Sequence, residues 1–153
     1  MIVRSRGLAV EVPTGWDVRI GSTSLDEIGA TRPLVHGANF GLPERRSEYG
    51  SGVVERMSTN NTFVSLVEFG AESVGTALFS GRGLPRRLDP ESFHPNQLQR
   101  PLPGQAGLQL FFIEADRAFC LYVVLGRHAN RARLVPTVDQ LLSGITILPP
   151  GAP

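Results

Sequence analysis

The chain has 153 residues, 41% hydrophobic and 19% charged, with a formal net charge of +1 and a single cysteine. That balance describes one globular domain able to bury its own core. It excludes a disordered chain, a disulfide-stapled scaffold, and any general electrostatic attraction to nucleic acid or anionic membrane. All fifteen basic residues are arginine, a usage that, with the abundance of Gly, Ala, Pro and Val, follows from a high-GC genome rather than from chemistry.

The opening MIVRSRGLAVEVP lacks the apolar core of a signal peptide, and the longest apolar run, Ala118 to Leu125, is far short of a bilayer span. A cytoplasmic protein without membrane insertion is expected. Leu8, Val10 and Val12 alternate with Ala9 and Glu11; Pro13-Thr14-Gly15 intervenes; Trp16, Val18 and Ile20 then alternate with Asp17 and Arg19. This reads as strand, tight turn, strand, with Gly15 at the positive-φ position. Ser24-Leu25-Asp26-Glu27 has capping-box spacing and Gly29 is a stop signal, for a helix barely one turn long. Leu34 to Phe40 is a strand with Leu34, His36, Ala38 and Phe40 on one face. Gly41 to Tyr49 is loop, and Ser51 to Met57 a short helix.

Thr62 to Phe69 is a strong strand after the turn cluster Ser58-Thr59-Asn60-Asn61, whose sequon reads as a polar turn. From Gly70 to Gly107 no sustained period of either kind occurs, and prolines stand at 85, 90, 95, 101 and 103. A short helix over Ala71–Phe79 is the one local element there. So long a connection is a functional excursion, a partner-binding arm or a hidden element. Gly107 to Gly126 holds two apolar runs around Glu114-Ala115-Asp116-Arg117 and reads as the central antiparallel hairpin. Phe119, Leu121, Val123 and Leu125 point one way; Ala118, Cys120, Tyr122 and Val124 point the other. Neither face is polar, so both need cover. Leu134, Val138, Leu141, Leu142 and Ile145 repeat at helical spacing, with Pro136 in the first turn and Gly144 as the stop. A short Ile145–Ile147 strand or tail closes a single domain over residues 1–148, and residues 149–153 form a frayed or partner-held tail.

On GLAVEVPTGWDVRI, NTFVSLVEFG, GLPRRLDPESF, PGQAGLQLFF and RAFCLYVVLG, the chain resembles a set of small, uncharacterised actinobacterial proteins. The order of elements also resembles the PsbP-like α/β/α sandwich. That likeness implies a binding or assembly factor, by analogy of architecture.

Chemistry is sparse in the sequence. Cys120 lies mid-strand without a basic neighbour, which fits an inert core thiol. His36, His94 and His128 share no metal-ligand spacing, so one strand and two loop histidines are expected, with no metal and no cofactor. The acidic pairs Asp26-Glu27 and Asp89/Glu91 sit beside turn residues and read as caps. Neither Gly81-Arg82-Gly83 nor Gly104-Gln105-Ala106-Gly107 makes a phosphate fingerprint. The notable charge cluster is Arg82, Arg86 and Arg87, with His94 and Arg100 nearby in sequence. Arginine forks suit phosphate or carboxylate, while Asp89 and Glu91 can neutralise the cluster internally.

The expectation is therefore an α+β domain. Its parts are a mainly antiparallel sheet, a C-terminal amphipathic helix on one face, and the long proline-rich excursion covering the other, with its anchors Leu84, Leu88, Phe93, Leu98 and Leu102 packed and Arg86, Arg87 and Arg100 toward solvent or partner. The leading function is a noncatalytic protein-interaction or assembly module with a protein partner or as a homo-oligomer. The alternative is a small anionic-ligand binder or enzyme using loop 81–107. Convergence of His94, His36 and several arginines in one pocket would favour that alternative; an exposed apolar patch or symmetric interface would favour the first.

Overall fold

The computed structural model describes residues 1–24 and 31–151. The strands among them are β1 (Ile2–Ser5), β2 (Leu8–Glu11), β3 (Asp17–Ser24), β4 (Thr31–Ala38), β5 (Thr62–Glu68), β6 (Gly81–Arg82), β7 (Ala106–Glu114), β8 (Arg117–Leu125) and β9 (Ile145–Ile147). The single α-helix among them is α1 (Arg131–Ser143). The large sheet runs β3-β4-β5-β8-β7-β6, antiparallel except where the two-residue β6 pairs with β7; the small sheet is β1-β2-β9. The fold is thus α+β and mainly antiparallel, with its helix near the C-terminus.

The centre is the β7–β8 hairpin, paired from Ala106↔Leu125 to Glu114↔Arg117. Its turn residues Ala115 and Asp116 have φ of 53° and 60°, the left-handed pair that matches the twist of flanking strands. Every residue of β8 is buried. Phe119, Leu121, Val123 and Leu125 share one core with Leu134, Val138 and Leu142 of α1 and with Leu8, Val10 and Ile147 of the small sheet. On the other face Phe63, Tyr122 and Val124 pack under Leu42, Val53 and Val54.

That second cover corrects the expectation that the proline-rich excursion would supply it. Loop 41–57 contributes most of it, joined by Leu98 and Leu102, whereas Leu84, Leu88 and Phe93 belong to the helix-side core. The excursion wraps the free edge of β7. Gly83 N–H donates to Ile113 O at 2.8 Å, His94 and Gly107 exchange backbone bonds of 3.0 and 3.1 Å, and the Gln97 side-chain oxygen accepts from Gln109 N–H at 3.1 Å. Leu84 N–H donates to Glu114 (2.8 Å) and Leu88 N–H to Asp139 (2.9 Å), tying the arm to hairpin and helix. Its anchors pack on its own sheet.

Pro13-Thr14-Gly15 forms a tight turn, with Trp16 N–H donating to Pro13 O (3.1 Å) and Gly15 at φ 85°, but it does not join a hairpin. It is a corner that carries the chain from the small sheet to the large one. The reason is competition for β2. The Arg6-Gly7 turn (φ 53° and 75°) folds β1 onto one edge of β2 and β9 takes the other, so β3 has none left and pairs with β4. Trp16 lands on the helix side of β4, where a side chain at Gly37 would come within 2.9 Å of Leu141 and 3.6 Å of Trp16.

The shorter helical expectations shrink to 3-10 turns at Val54–Arg56, Ala71–Ser73 and Ala77–Phe79. Pro136 sits in the second turn of α1, on its exposed side, because a 3-10 turn at His128–Asn130 leads into a helix that starts at Arg131. Gly144 ends it as expected, donating to Leu141 O at 3.0 Å. The helix expected after Ser24 falls outside the described residues.

Candidate functional site

The sequence-predicted residues are largely dispersed. Arg86 folds back onto the end of α1, donating to Leu142 O (2.6 Å) and Ile145 O, with Glu114 at 3.7 Å. It shares a shallow groove with Arg87, Pro136 and Asp139. Arg82 and Arg87 are exposed, and Arg100 lies 3.7 Å from Glu55. His94 accepts from Asn96 N–H through Nδ1 (3.1 Å), and its ring stands 6.3 Å from that of His128, whose Nε2–H donates to Phe93 O (3.1 Å). His36 joins neither. No group of His, Cys, Asp and Glu able to hold a metal ion occurs among the described residues.

His36 instead organises a polar cluster on the loop-covered face of the large sheet. Strand alternation puts it there beside Asp17, Arg19, Gly21 and Thr23 of β3 and Ser65 of β5. The ring is buried at 1% exposure and stands 5.1 Å from Phe63. Arg46 Nε donates to His36 Nδ1 at 2.8 Å, so the proton is on Nε2, which donates to Glu48 O at 2.9 Å. Ser65 Oγ donates to the same carbonyl, and Thr23 Oγ1 donates to the Glu48 carboxylate. Burial pulls the His36 pKa down to about 4, with Arg46 adding to the effect, and the imidazole is neutral at physiological pH.

A cavity of about 230 Å³ opens beside this cluster, lined by Arg19, Gly21, Ser22, Leu34, His36, Glu44 and Arg46. Arg19 bridges Asp17 (3.2 Å) and Glu44 (2.7 Å), which raises its pKa. Burial works to raise the Asp17 pKa, but the Leu42 N–H (2.8 Å) and Arg19 outweigh it and hold the carboxyl below its usual range. Among the described residues Arg46 donates to neutral acceptors: His36 Nδ1, Pro43 O at 2.8 Å and Glu44 O at 3.5 Å. Burial and the charge of Arg19 pull its pKa down, against the opposing pull of the Glu44 and Asp17 carboxylates.

The thiol near the cluster is not exposed. Cys120 is fully buried; burial pushes its thiol pKa up, against opposing hydrogen bonds from Gln109 (3.5 Å) and Tyr49. Both His36 nitrogens are engaged. What this geometry can do is bind a negative group at the two guanidiniums. Sequence reasoning passed over Arg46 because Glu44-Arg45-Arg46 sits in an aperiodic loop. The available signal was His36 on the same strand face as Ala38, a polar ring on an otherwise apolar face that needs partners from elsewhere. Comparison of the chain with family models, with curated proteins and with solved structures returned no match.

Proposed function

We propose that the protein is a noncatalytic protein-interaction module that takes an extended segment of its partner as an added strand along β3. The observation that carries this reading is the contrast between the two edges of the large sheet. The β7 edge is closed by the excursion, whereas among the described residues no backbone hydrogen bond reaches β3 except from β4. Asn39 N–H donates to Thr62 O of β5, so the odd-numbered backbone groups of β4 face β5. Their partners in β3, Val18, Ile20 and Ser22, therefore turn N–H and C=O away from β4, toward the edge that no described strand pairs with. The pairing of Ser22 with Pro33, which has no N–H to give, agrees with that assignment. β1 packs against β3 without bonding to it. Unpaired strand edges are where extended peptides add.

The alternative placed on loop 81–107 has less to recommend it, since Arg86 caps carbonyls and Arg100 faces Glu55. The test is a titration of the chain with a blocked Val-Thr-Glu-Thr-Val peptide, followed by amide chemical shifts. Shifts should centre on Ile20 to Ser22 and vanish in Ser22→Pro, which removes an outward N–H and leaves the melting midpoint unchanged. Equal binding by Ser22→Pro would mean that β3 is not the site.

A further inference from the structure

We infer that the pocket of Arg19 and Arg46 receives a carboxylate side chain carried by the strand added along β3. The inference rests on the reading of β3 given above and specifies the partner's chemistry. Side chains of an added strand alternate between faces, and those on the loop-covered face stand beside Arg19, Gly21 and Thr23. Gly21 leaves a gap in that row, because a Cβ there would meet nothing within 4 Å. The gap opens into the cavity of about 230 Å³ floored by Leu34 and His36. A partner side chain one or two methylenes long would reach through it.

The charge arrangement selects an acid. Arg46 is held in place by three neutral acceptors, so its fork is oriented, and among the described residues the carboxylates of Glu44 and Asp17 act on its charge without a hydrogen bond to it. His36 cannot supply a negative charge, being a neutral ring locked between Arg46 and Glu48 O. Arg19 is better balanced, but one of its two carboxylates, Glu44, is 88% exposed and is held by a single bond of 2.7 Å. Glu44 thus stands where an incoming carboxylate would bind, and swings to water at little cost because exposed ion pairs contribute little. A carboxylate bridging Arg46 and Arg19 gains charge-assisted bonds at a site already partly shielded from water. It also offsets the repulsion between the two guanidiniums.

The experiment compares blocked Val-Thr-Glu-Thr-Val with its Gln counterpart by the same shift titration, reading Gly21, Ser22 and the Arg46 Nε–H. In the native chain the Glu peptide should bind roughly ten-fold more tightly than the Gln peptide, the size of a charge-assisted bidentate contact. The ratio should fall to about one in Arg46→Gln with the Gln peptide still bound. Should Arg46→Gln lose its fold, Glu44→Gln decides: at this exposed position it should tighten the Glu peptide a few-fold and leave the Gln peptide unchanged. Equal affinity of the two peptides in the native chain overturns the acidic pocket while leaving strand addition standing. No binding of either overturns both readings. If acetate or inorganic phosphate alone shifts the Arg46 Nε–H as strongly as the Glu peptide does, the pocket is for a free anion and the peptide assignment is wrong.

Discussion

His36 and Arg117 show how much one polar side chain can decide. With His36 held near pKa 4 against an ordinary 6.5, the unfolded chain binds more protons than the folded one between those values. Its contribution is fully present above pH 6.5 and is lost as pH falls through the window, on the order of 3 kcal/mol in total at about 1.4 kcal/mol per unit of pKa. The melting midpoint should therefore fall between pH 6.5 and 4, and His36→Phe should flatten that fall even if it lowers the midpoint at pH 7. A slope unchanged in the variant would show that His36 does not set the pH dependence in this window; Asp17 and Glu48, whose carboxyls are held low, lose their contribution only at more acid pH. Arg117, 5% exposed, pairs with Glu68 at 2.8 Å and donates to Arg6 O, Gly7 O and Leu148 O, so one guanidinium joins both sheets. Arg117→Met should cost about 3–5 kcal/mol by leaving Glu68 and the carbonyls without their donor. Urea midpoints would measure it; a loss below 1 kcal/mol would show that water replaces the guanidinium. Neither network could be read from sequence. Alternation placed His36 on the correct face, but its partners come from an aperiodic loop and those of Arg117 from a strand end and turns far away in sequence, and no local pattern announces such pairings.

At the scale of elements, what was legible is local pattern. β8 shows as an apolar run that needs cover on both faces, α1 follows its period of 3.6, and the Pro13–Trp16 turn follows from residue chemistry. What was hidden is pairing. The choice of β1 over β3 as partner for β2 depends on the Arg6-Gly7 turn, whose first residue carries no turn signature, and the central turn is built on Ala115-Asp116 rather than Asn-Gly. That turn is therefore open to improvement. Ala115→Asn with Asp116→Gly should raise stability by about 1 kcal/mol, since both positions have positive φ. A lowered urea midpoint would show that the packing of Ala115 on the core outweighs its strain. The excursion, aperiodic though it is, should behave as fold rather than as a waiting arm. His94, Gly107 and Gln109 amides should be protected from exchange in the isolated monomer, because each has a partner within the chain. Free exchange at all three would mean that the β7 edge opens in solution.

For the whole molecule, the question is whether two sheets make one cooperative unit. The small sheet has three strands, too few to be stable without cover, and it buries Leu8, Val10, Ile145 and Ile147 in the same core as α1 and β8. Two further ties cross the junction: Arg117, and the contact of Trp16 with that core at the corner between the sheets. Trp16 is the only tryptophan, so its fluorescence reports this corner, whereas far-UV circular dichroism reports the backbone as a whole. If the ties suffice, the two signals should trace a single urea transition with one midpoint, and Arg117→Met should move both together. A tryptophan transition that precedes the dichroism change in the native chain would identify the small sheet and corner as a separately melting unit. Strand addition along β3 would then couple directly to that unit, because β3 begins at the corner that Trp16 occupies. In that case peptide binding should raise the tryptophan midpoint more than the dichroism midpoint. With one cooperative core it should raise both equally, by mass action on the folded state.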